Sequence, residues 1–184
     1  TQKQTKGVPG RKIVVFGGRM APSFLNYIRD LTGKDKPRMC FLPTASADNE
    51  RSYIYWYQRM AGIDAIPMVQ EMFISSYSTR QSWEEILLSM DAIVVGGGNT
   101  LNMMAIWQAQ GVDQVLRKAW DQGIVLAGGS AGSLCWFEEG TTDSRPKELT
   151  KIECLGFLKG SHSPHYDGES QRRPTYHKLI SEGT

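Results

Sequence analysis

The sequence has 184 residues, of which 21 are Lys or Arg and 19 are Asp or Glu, and 40% of its residues are hydrophobic. A chain of this length can bury a hydrophobic core without disulfides or metals. The nearly balanced charge argues against a protein that coats nucleic acid or binds a membrane surface, and the hydrophobic content argues against a disordered one. The composition therefore predicts a soluble globular protein that has neither nucleic acid nor membrane as a partner.

The N-terminal segment 1–11 is polar and basic and contains two glycines and a proline. The apolar run that follows it ends before Gly17 and is too short for a signal peptide or a membrane span. The chain has three cysteines, Cys40, Cys135 and Cys154. Their spacing matches neither a disulfide framework nor a zinc site, which favours a reducing compartment. We expect a flexible leader at 1–11 and one domain at 12–184, in the cytoplasm.

Short apolar runs alternate with segments of helical periodicity through the first two thirds of the chain. In chain order, the sequence predicts strand 12–16, helix 21–31, strand 38–42, helix 50–61, strand 65–68, helix 79–90, strand 92–95, helices 100–108 and 112–122, and strand 124–127. Continuous apolar runs are typical of strands that are buried on both faces. The alternation predicts an α/β fold with a doubly wound, mostly parallel sheet and helices on both faces.

Beyond Phe137 the pattern weakens. Residues 138–161 form a charged, turn-rich stretch with one short apolar piece at 154–158. The charged part at 147–153 is predicted to be exposed surface. In parallel sheets ligands bind where strands end and helices begin, so the glycine-rich turns of the first part are the first candidates for a site.

The turn Gly128-Gly129-Ser130-Ala131-Gly132 follows an apolar strand and opens an apolar helix. This G-x-S-x-G pattern matches a nucleophile elbow, in which small neighbours let the backbone turn sharply and lift the serine hydroxyl above the sheet. The positive end of the following helix dipole is expected to assist. The alternatives are a plain strand-to-helix loop or a phosphate cradle. The flanking strand and helix favour Ser130 as a nucleophile.

A second glycine-rich turn, Gly96-Gly97-Gly98-Asn99-Thr100, also joins a strand to a helix. Consecutive glycines allow the backbone to approach a substrate closely. We expect the N–H groups of Gly98 and Ala131 to form an oxyanion hole, and Asn99 to contact the substrate. Anion or nucleotide binding at the helix N-terminus is the alternative, although the turn lacks the phosphate-binding glycine patterns.

A serine hydroxyl needs a positioned base, and histidine is the usual one near neutral pH. The chain has three histidines, His162, His165 and His177, and all of them follow Ser130. His165 is the leading candidate because Pro164 stiffens its loop. His162 is the reserve, and His177 falls in a segment of helical spacing where a surface or packing role is expected.

The acid that would orient the histidine is open between Asp143, Asp167 and Glu169. Asp143 has the better claim because its Thr and Ser neighbours indicate a hydrogen-bonded turn. Each of the three can equally be a solvated loop carboxylate, which is the usual state of Asp and Glu.

Five segments together resemble the peptidase E family of aspartyl dipeptidases, to which cyanophycinase is more distantly related on the same glutamine-amidotransferase-like, flavodoxin-like three-layer scaffold. The matching segments are 41–46, 96–100, 129–132, 141–143 and 163–166, in the family's order. The resemblance implies that Ser130 is the nucleophile, that His165 is the general base and that Gly98 and Ala131 supply the oxyanion hole. It also implies that Asp143 lies at or beside an aspartate involved in activity.

The sequence departs from the family in two respects. Family members are tens of residues longer, with closing strands beyond the position of Thr184, so we expect the chain to be truncated. The family's third triad member is an acid further toward the C-terminus, so an acid beyond Thr184 also stays open as an alternative to Asp143, Asp167 and Glu169. In peptidase E an arginine shortly after the catalytic histidine recognises the substrate's aspartate, whereas here Gln171 occupies that region and Arg172 and Arg173 follow it. These three residues are the candidate specificity residues.

The leading hypothesis is a serine dipeptidase that hydrolyses short peptides through an acyl-enzyme, with no metal and no cofactor. The alternatives are a cyanophycinase-like hydrolase of β-linked aspartyl-arginine units and a non-catalytic module that binds small molecules or anions. The sequence leaves the oligomeric state open between monomer and homodimer.

Overall fold

A computed structural model describes residues 10–74 and 81–183. In the first part of the chain, strands and helices alternate: β1 (Ile13–Phe16), α1 (Pro22–Leu31), β2 (Arg38–Leu42), α2 (Glu50–Met60), β3 (Ile66–Val69), α3 (Trp83–Leu87), β4 (Ala92–Val95), α4 (Thr100–Gln110), α5 (Val112–Asp121) and β5 (Val125–Gly129). The second part contains α6 (Ala131–Leu134), β6 (Phe137–Thr142), β7 (Thr150–Glu153), β8 (Leu158–His162) and α7 (Arg172–Ser181).

The strands of the first part form one parallel sheet in the order β1-β5-β4-β2-β3. Successive side chains of a strand point to opposite faces of its sheet. In β2, Cys40 and Leu42 therefore face a core with α3, α4 and α5, whereas Met39 and Phe41 face a core with α1 and α2. Helices cover both faces, and the predicted doubly wound α/β fold is confirmed.

The predicted strands all occur, with ends shifted by no more than two residues. Four of the predicted helices also occur with nearly the expected bounds, but the helix predicted at 79–90 is wrong in length. The observed α3 spans Trp83–Leu87 and begins at a capping box between Ser82 and Glu85. The helix ends early because Met90 turns back, donating its N–H to the Leu87 carbonyl before β4 starts. The first two residues of that prediction, and most of the predicted leader 1–11, lie outside the described residues.

The charged stretch after Phe137 contains a second sheet, which the sequence analysis missed. Its three strands have the order β7-β6-β8, with β6 antiparallel to β7 and parallel to β8. The segment 147–153, predicted as exposed surface, includes β7, in which Ile152 is buried between exposed charged residues. The loop after β8 places His165 beside the end of β1, where its N–H donates to the Gly17 carbonyl.

Candidate active site

Ser130 occupies a sharp turn between β5 and α6. Its backbone has φ 55° and ψ −117°, a sparsely populated conformation for a residue with a side chain. The Ser130 N–H donates to the Phe16 carbonyl at 3.2 Å, which ties the turn to the end of β1. A strained strand-to-helix turn of this kind presents the serine hydroxyl above the edge of the sheet, as the elbow pattern predicts.

The small residues around Ser130 are required by close backbone packing. A Cβ atom on Gly132 would lie 2.2 Å from the Val95 carbonyl oxygen, and one on Gly128 would lie 2.1 Å from the Gly132 carbonyl oxygen. No ordinary side-chain contact is that short, so a larger residue at either position has to move β4 or α6. The turn can therefore keep its geometry only with glycine at both positions.

Gly132→Ala is expected to lower the free energy of unfolding by about 1 to 3 kcal/mol or more, because the added methyl group overpacks against β4. Chemical denaturation monitored by circular dichroism measures the effect. Gly18→Ala is the matched control, since a methyl group there meets nothing within 4 Å. Equal stability of the two variants would contradict the packing described for the turn.

His165 meets Ser130 although 35 positions separate the two residues in sequence. Its Nε2 lies 2.7 Å from the Ser130 Oγ, within hydrogen-bonding distance. The His165 backbone has φ 57°, and its N–H donates to the Gly17 carbonyl at 3.1 Å, which fixes the loop after β8 to the loop after β1. The arrangement gives the hydroxyl an adjacent proton acceptor, the geometry needed for nucleophilic catalysis.

The second glycine-rich turn packs against Ser130. A Cβ on Gly97 would lie 3.1 Å from the Ser130 Cβ and 3.6 Å from its Oγ. Gly98 has φ 141° and passes so close to Ala45 that a Cβ there would lie 2.1 Å from the Ala45 carbonyl oxygen. Within the described residues, the N–H groups of Gly98 and Ala131 donate to no carbonyl. Both are therefore free to donate to a substrate oxygen.

The helix after Ser130 is shorter than the sequence indicates. The α6 helix has only four residues, Ala131–Leu134, and the chain enters β6 after Trp136. One helical turn has little macrodipole, so the expected dipole contribution is small. The free N–H groups at the turn remain as the source of positive potential beside Ser130.

The three candidate acids each contact an arginine. Glu169 accepts from Arg172 Nε at 2.7 Å, Asp143 lies 3.5 Å from Arg172 Nη2, and Asp167 lies 2.5 Å from Arg173 Nη2. In the described part of the chain, the one side-chain hydrogen bond of His165 is that to Ser130. Ser130 and His165 therefore form a pair here, and Asp143 does not orient the imidazole.

The reserve base, His162, lies elsewhere. Its Nε2 is 3.0 Å from the hydroxyl of Ser133, and its ring stacks on Phe137 at a centroid distance of 4.7 Å. Burial lowers the pKa of His162, since the charged form loses hydration. His177 is exposed and contacts the Tyr166 hydroxyl at 2.7 Å, consistent with a surface role.

Residues 15–184 match the sequence profile of peptidase family S51. The uncharacterized peptidase YgaJ of Bacillus subtilis (strain 168) is 45% identical to this chain over 177 residues, a match that covers 93% of this chain and 75% of YgaJ. The chain belongs to peptidase family S51. The S51 chain is thus a serine-type peptidase, and the predicted resemblance to the peptidase E family is confirmed.

Two solved structures share the fold of the S51 chain. A provisionally assigned peptidase E protein from Listeria monocytogenes EGD-e has a TM-score of 0.66 at 18% identity, with 94% of this chain and 87% of that chain covered. A peptidase from an acI-B1 Actinobacterium has a TM-score of 0.68 at 17% identity, with 84% and 68% covered. At these identities the likeness shows the fold alone.

The predicted specificity residues of the S51 chain do not converge on Ser130. Arg172 is only 2% exposed, and its guanidinium also donates to the Thr141 carbonyl at 3.2 Å. Arg173 is exposed, and its guanidinium lies over the Tyr166 ring at 4.9 Å. Both arginines thus tie α7 to neighbouring segments.

The other two predicted substrate contacts, Asn99 and Gln171, also lie away from the Ser130 pocket or are engaged in the fold. Asn99 caps α4 through Asn102 and donates to the Ser144 carbonyl at 3.0 Å, so its amide is occupied at both ends. Gln171 is exposed and lines a polar cleft of about 530 Å³ with Asp143 and Arg145. That cleft does not include Ser130.

Arg172→Ala in the S51 chain is expected to lower the free energy of unfolding by about 1.5 to 3 kcal/mol, since buried charge-assisted hydrogen bonds are lost. Arg173→Ala is the matched control. Its ion pair with Asp167 is exposed, and exposed pairs contribute about 0 to 1 kcal/mol. Urea unfolding of both variants measures the difference. A smaller loss for Arg172→Ala than for Arg173→Ala would contradict the structural role of Arg172.

A pocket of about 380 Å³ opens directly beside Ser130. It is lined by Phe16, Gly18, Arg19, Met20, Phe41, Arg51, Ser52, Tyr55, Val95, Gly96, Gly97, Gly129 and Ser130. The sequence analysis singled out neither Arg19 nor Arg51. No local motif marks them, because the loop after β1 and the start of α2 meet only in the folded protein.

Two further findings concern metal ligands and membrane-spanning helices in the described residues. Residues 10–74 and 81–183 hold no cluster of three or more His, Cys, Asp or Glu that could bind a metal ion. A membrane crossing needs a longer and more apolar helix than any in those same ranges.

Proposed function

We propose that this S51 chain is a serine exopeptidase that hydrolyses short peptides through an acyl-enzyme on Ser130, with His165 as the general base. The observation that carries the proposal is the 2.7 Å contact between the Ser130 Oγ and the His165 Nε2 at a strained turn. The similarity to YgaJ, itself named an uncharacterized peptidase, supports the reaction class.

The reaction follows from these contacts. His165 accepts the proton of Ser130 as the Oγ attacks the peptide carbonyl, and a tetrahedral intermediate forms. The free N–H groups of Gly98 and Ala131 donate to the developing oxyanion. The imidazolium then gives its proton to the leaving amine, which departs and leaves an ester on Ser130. A water molecule, deprotonated by His165, hydrolyses the ester and restores the serine.

The size of the pocket supports a short substrate. At about 380 Å³ it lies near the lower end of the volumes of small-molecule sites, roughly 300 to 1,000 Å³. Its lining includes the buried side chains of Phe16, Met20 and Phe41, which offer apolar contact. A pocket of this kind favours a residue or two at the end of a peptide over a folded polypeptide.

The ion pairs of Arg172 and Arg173 favour a specificity broader than aspartate. With Gln171 in the region of the family's aspartate-recognising arginine, a carboxylate side chain on the first residue gains no charged partner there. Loss of one charge-assisted bond corresponds to about ten- to a hundredfold in kcat/KM. We therefore expect Ser-Leu, Gln-Leu and Ala-Leu to be hydrolysed within about that range of Asp-Leu.

A panel of Xaa-Leu dipeptides, with kcat/KM measured for each, tests the proposal. Hydrolysis of several members without a large preference for Asp-Leu is the expected result. A preference for Asp-Leu beyond about a hundredfold, lost in Arg172→Ala or Arg173→Ala, would contradict the broad specificity. Cleavage of a β-linked aspartyl-arginine polymer in place of dipeptides would point to a cyanophycinase-like activity, and no hydrolysis at all to a binding module.

A further inference from the structure

The pocket beside Ser130 contains two cationic side chains and no anionic one. Arg19 and Arg51 lie among its lining residues, and Asp and Glu are absent from that lining. Neither guanidinium has an ion pair or hydrogen bond with any residue in 10–74 or 81–183. The pocket lining therefore combines apolar side chains with two positive charges that have no anionic partner among the described residues.

These two arginines differ from the others in the described ranges. Each of five arginines pairs with a carboxylate or donates to a hydroxyl or carbonyl oxygen: Arg11, Arg29, Arg145, Arg172 and Arg173. Arg38 contacts the Met68 sulfur, and Arg59 and Arg117 lie over aromatic rings. Those guanidinium groups therefore each interact with another residue of the protein. Arg19 and Arg51 have no comparable partner.

The position of Arg51 is not one that helix stability favours. It is the second residue of α2, in a first turn whose N–H groups carry partial positive charge. A cation at this end of a helix is disfavoured, whereas an anion is favoured. Arg51 instead lines the pocket together with Arg19, which lies in the loop after β1. An anionic ligand in the pocket would supply the partner that both guanidinium groups lack.

We infer that the pocket is a carboxylate-binding subsite, in which Arg19 and Arg51 hold the anionic end of a short peptide while Phe16, Met20 and Phe41 contact its apolar part. The inference rests on the proposed function in that the peptide's scissile carbonyl lies at Ser130. Arginine forms paired, charge-assisted hydrogen bonds with carboxylates, which suits it to this recognition. The carboxylate belongs either to the peptide C-terminus or to an acidic side chain.

The test measures binding, so that it does not depend on turnover. Three peptides are titrated calorimetrically into the Ser130→Ala variant: Ala-Leu, Ala-Leu amide and Asp-Leu amide. The first has a terminal carboxylate, the second has none, and the third has only a side-chain carboxylate. The same titrations are run with Arg19→Gln and Arg51→Gln added together. Arg11→Gln, which alters an exposed arginine that precedes β1 and pairs with Asp121, is the matched control.

We expect at least one carboxylate peptide to bind about ten- to a hundredfold more tightly than Ala-Leu amide, with the advantage reduced to less than about threefold in the double variant. Arg11→Gln keeps the full advantage. An advantage for Ala-Leu identifies the C-terminal carboxylate, and one for Asp-Leu amide identifies an acidic side chain. Equal affinity of all three peptides, no detectable binding, or an advantage that survives in the double variant would overturn the inference. Because Ser130 is already replaced, these outcomes are independent of whether the unmodified chain hydrolyses peptides.

Discussion

Ser130→Ala is expected to reduce kcat for dipeptide hydrolysis by roughly 10⁴-fold or more, while the fold stays intact. The change removes one oxygen atom from a partly exposed turn whose packing depends on the glycines at 128 and 132. Without that oxygen no acyl-enzyme can form, and residual catalysis comes from the oxyanion donors and binding alone. Steady-state kinetics on purified protein measure the loss, and circular dichroism checks the fold.

Ser133→Ala is the matched control for Ser130→Ala. The Ser133 hydroxyl is buried, donates to the Ser130 carbonyl at 2.7 Å and contacts His162, but it does not reach the pocket. Its removal is expected to affect stability more than turnover, with kcat reduced by less than about tenfold. A Ser130→Ala protein that keeps most of the original kcat would contradict the role of Ser130.

His165→Gln is expected to reduce kcat by a magnitude similar to that of Ser130→Ala, because base and nucleophile act as a unit. In the unmodified protein, activity should fall as the pH is lowered, because the base must be unprotonated. The sign follows from the chemistry, since a protonated imidazole cannot accept the serine proton. A profile of kcat/KM from pH 5 to pH 8 measures this decrease, the acid limb of the profile.

His162→Gln separates the two histidines. Burial lowers the pKa of His162, so this side chain gains its proton only at a pH below the ordinary range for histidine. The acid limb should therefore stay in place in His162→Gln, with activity largely retained. A limb that moves or disappears in His162→Gln, or a flat profile in the unmodified protein, would show that His165 is not the base.

The parallel sheet was predictable because its strands are buried on both faces. Segments such as Arg38–Leu42 and Ala92–Val95 are nearly continuous apolar runs, which few other structures produce. The small second sheet was missed for the converse reason. The buried residues of β6 are Gly140, Thr141 and Thr142, β7 buries only Ile152, and β8 buries none, so no strand has an apolar run. Gly140 and Gly160 also resemble turn residues. Pairing between these strands, rather than their composition, stabilises them.

In the candidate site, residues that belong to a local motif were predictable, whereas contacts that depend on the tertiary structure were not. Ser130 lies in a local motif whose glycines have a packing reason, and His165 follows from the scarcity of histidines in the chain. Ion pairing is decided by the tertiary structure, so the sequence could not reveal that Glu169 pairs with Arg172. Arg19 and Arg51 were missed because a loop and the start of a helix, more than thirty positions apart, bring them to one pocket.

Covalent labelling with a fluorophosphonate, followed by peptide mapping, tests the central claim most directly. The reagent phosphonylates a serine only when a base activates the hydroxyl, so it reports on the pair of Ser130 and His165 without any assumption about substrate. We predict one adduct per chain, on Ser130, with labelling strongly slowed in His165→Gln and unchanged in His162→Gln. An adduct on another residue, or no adduct on the folded protein, would contradict Ser130 as the nucleophile.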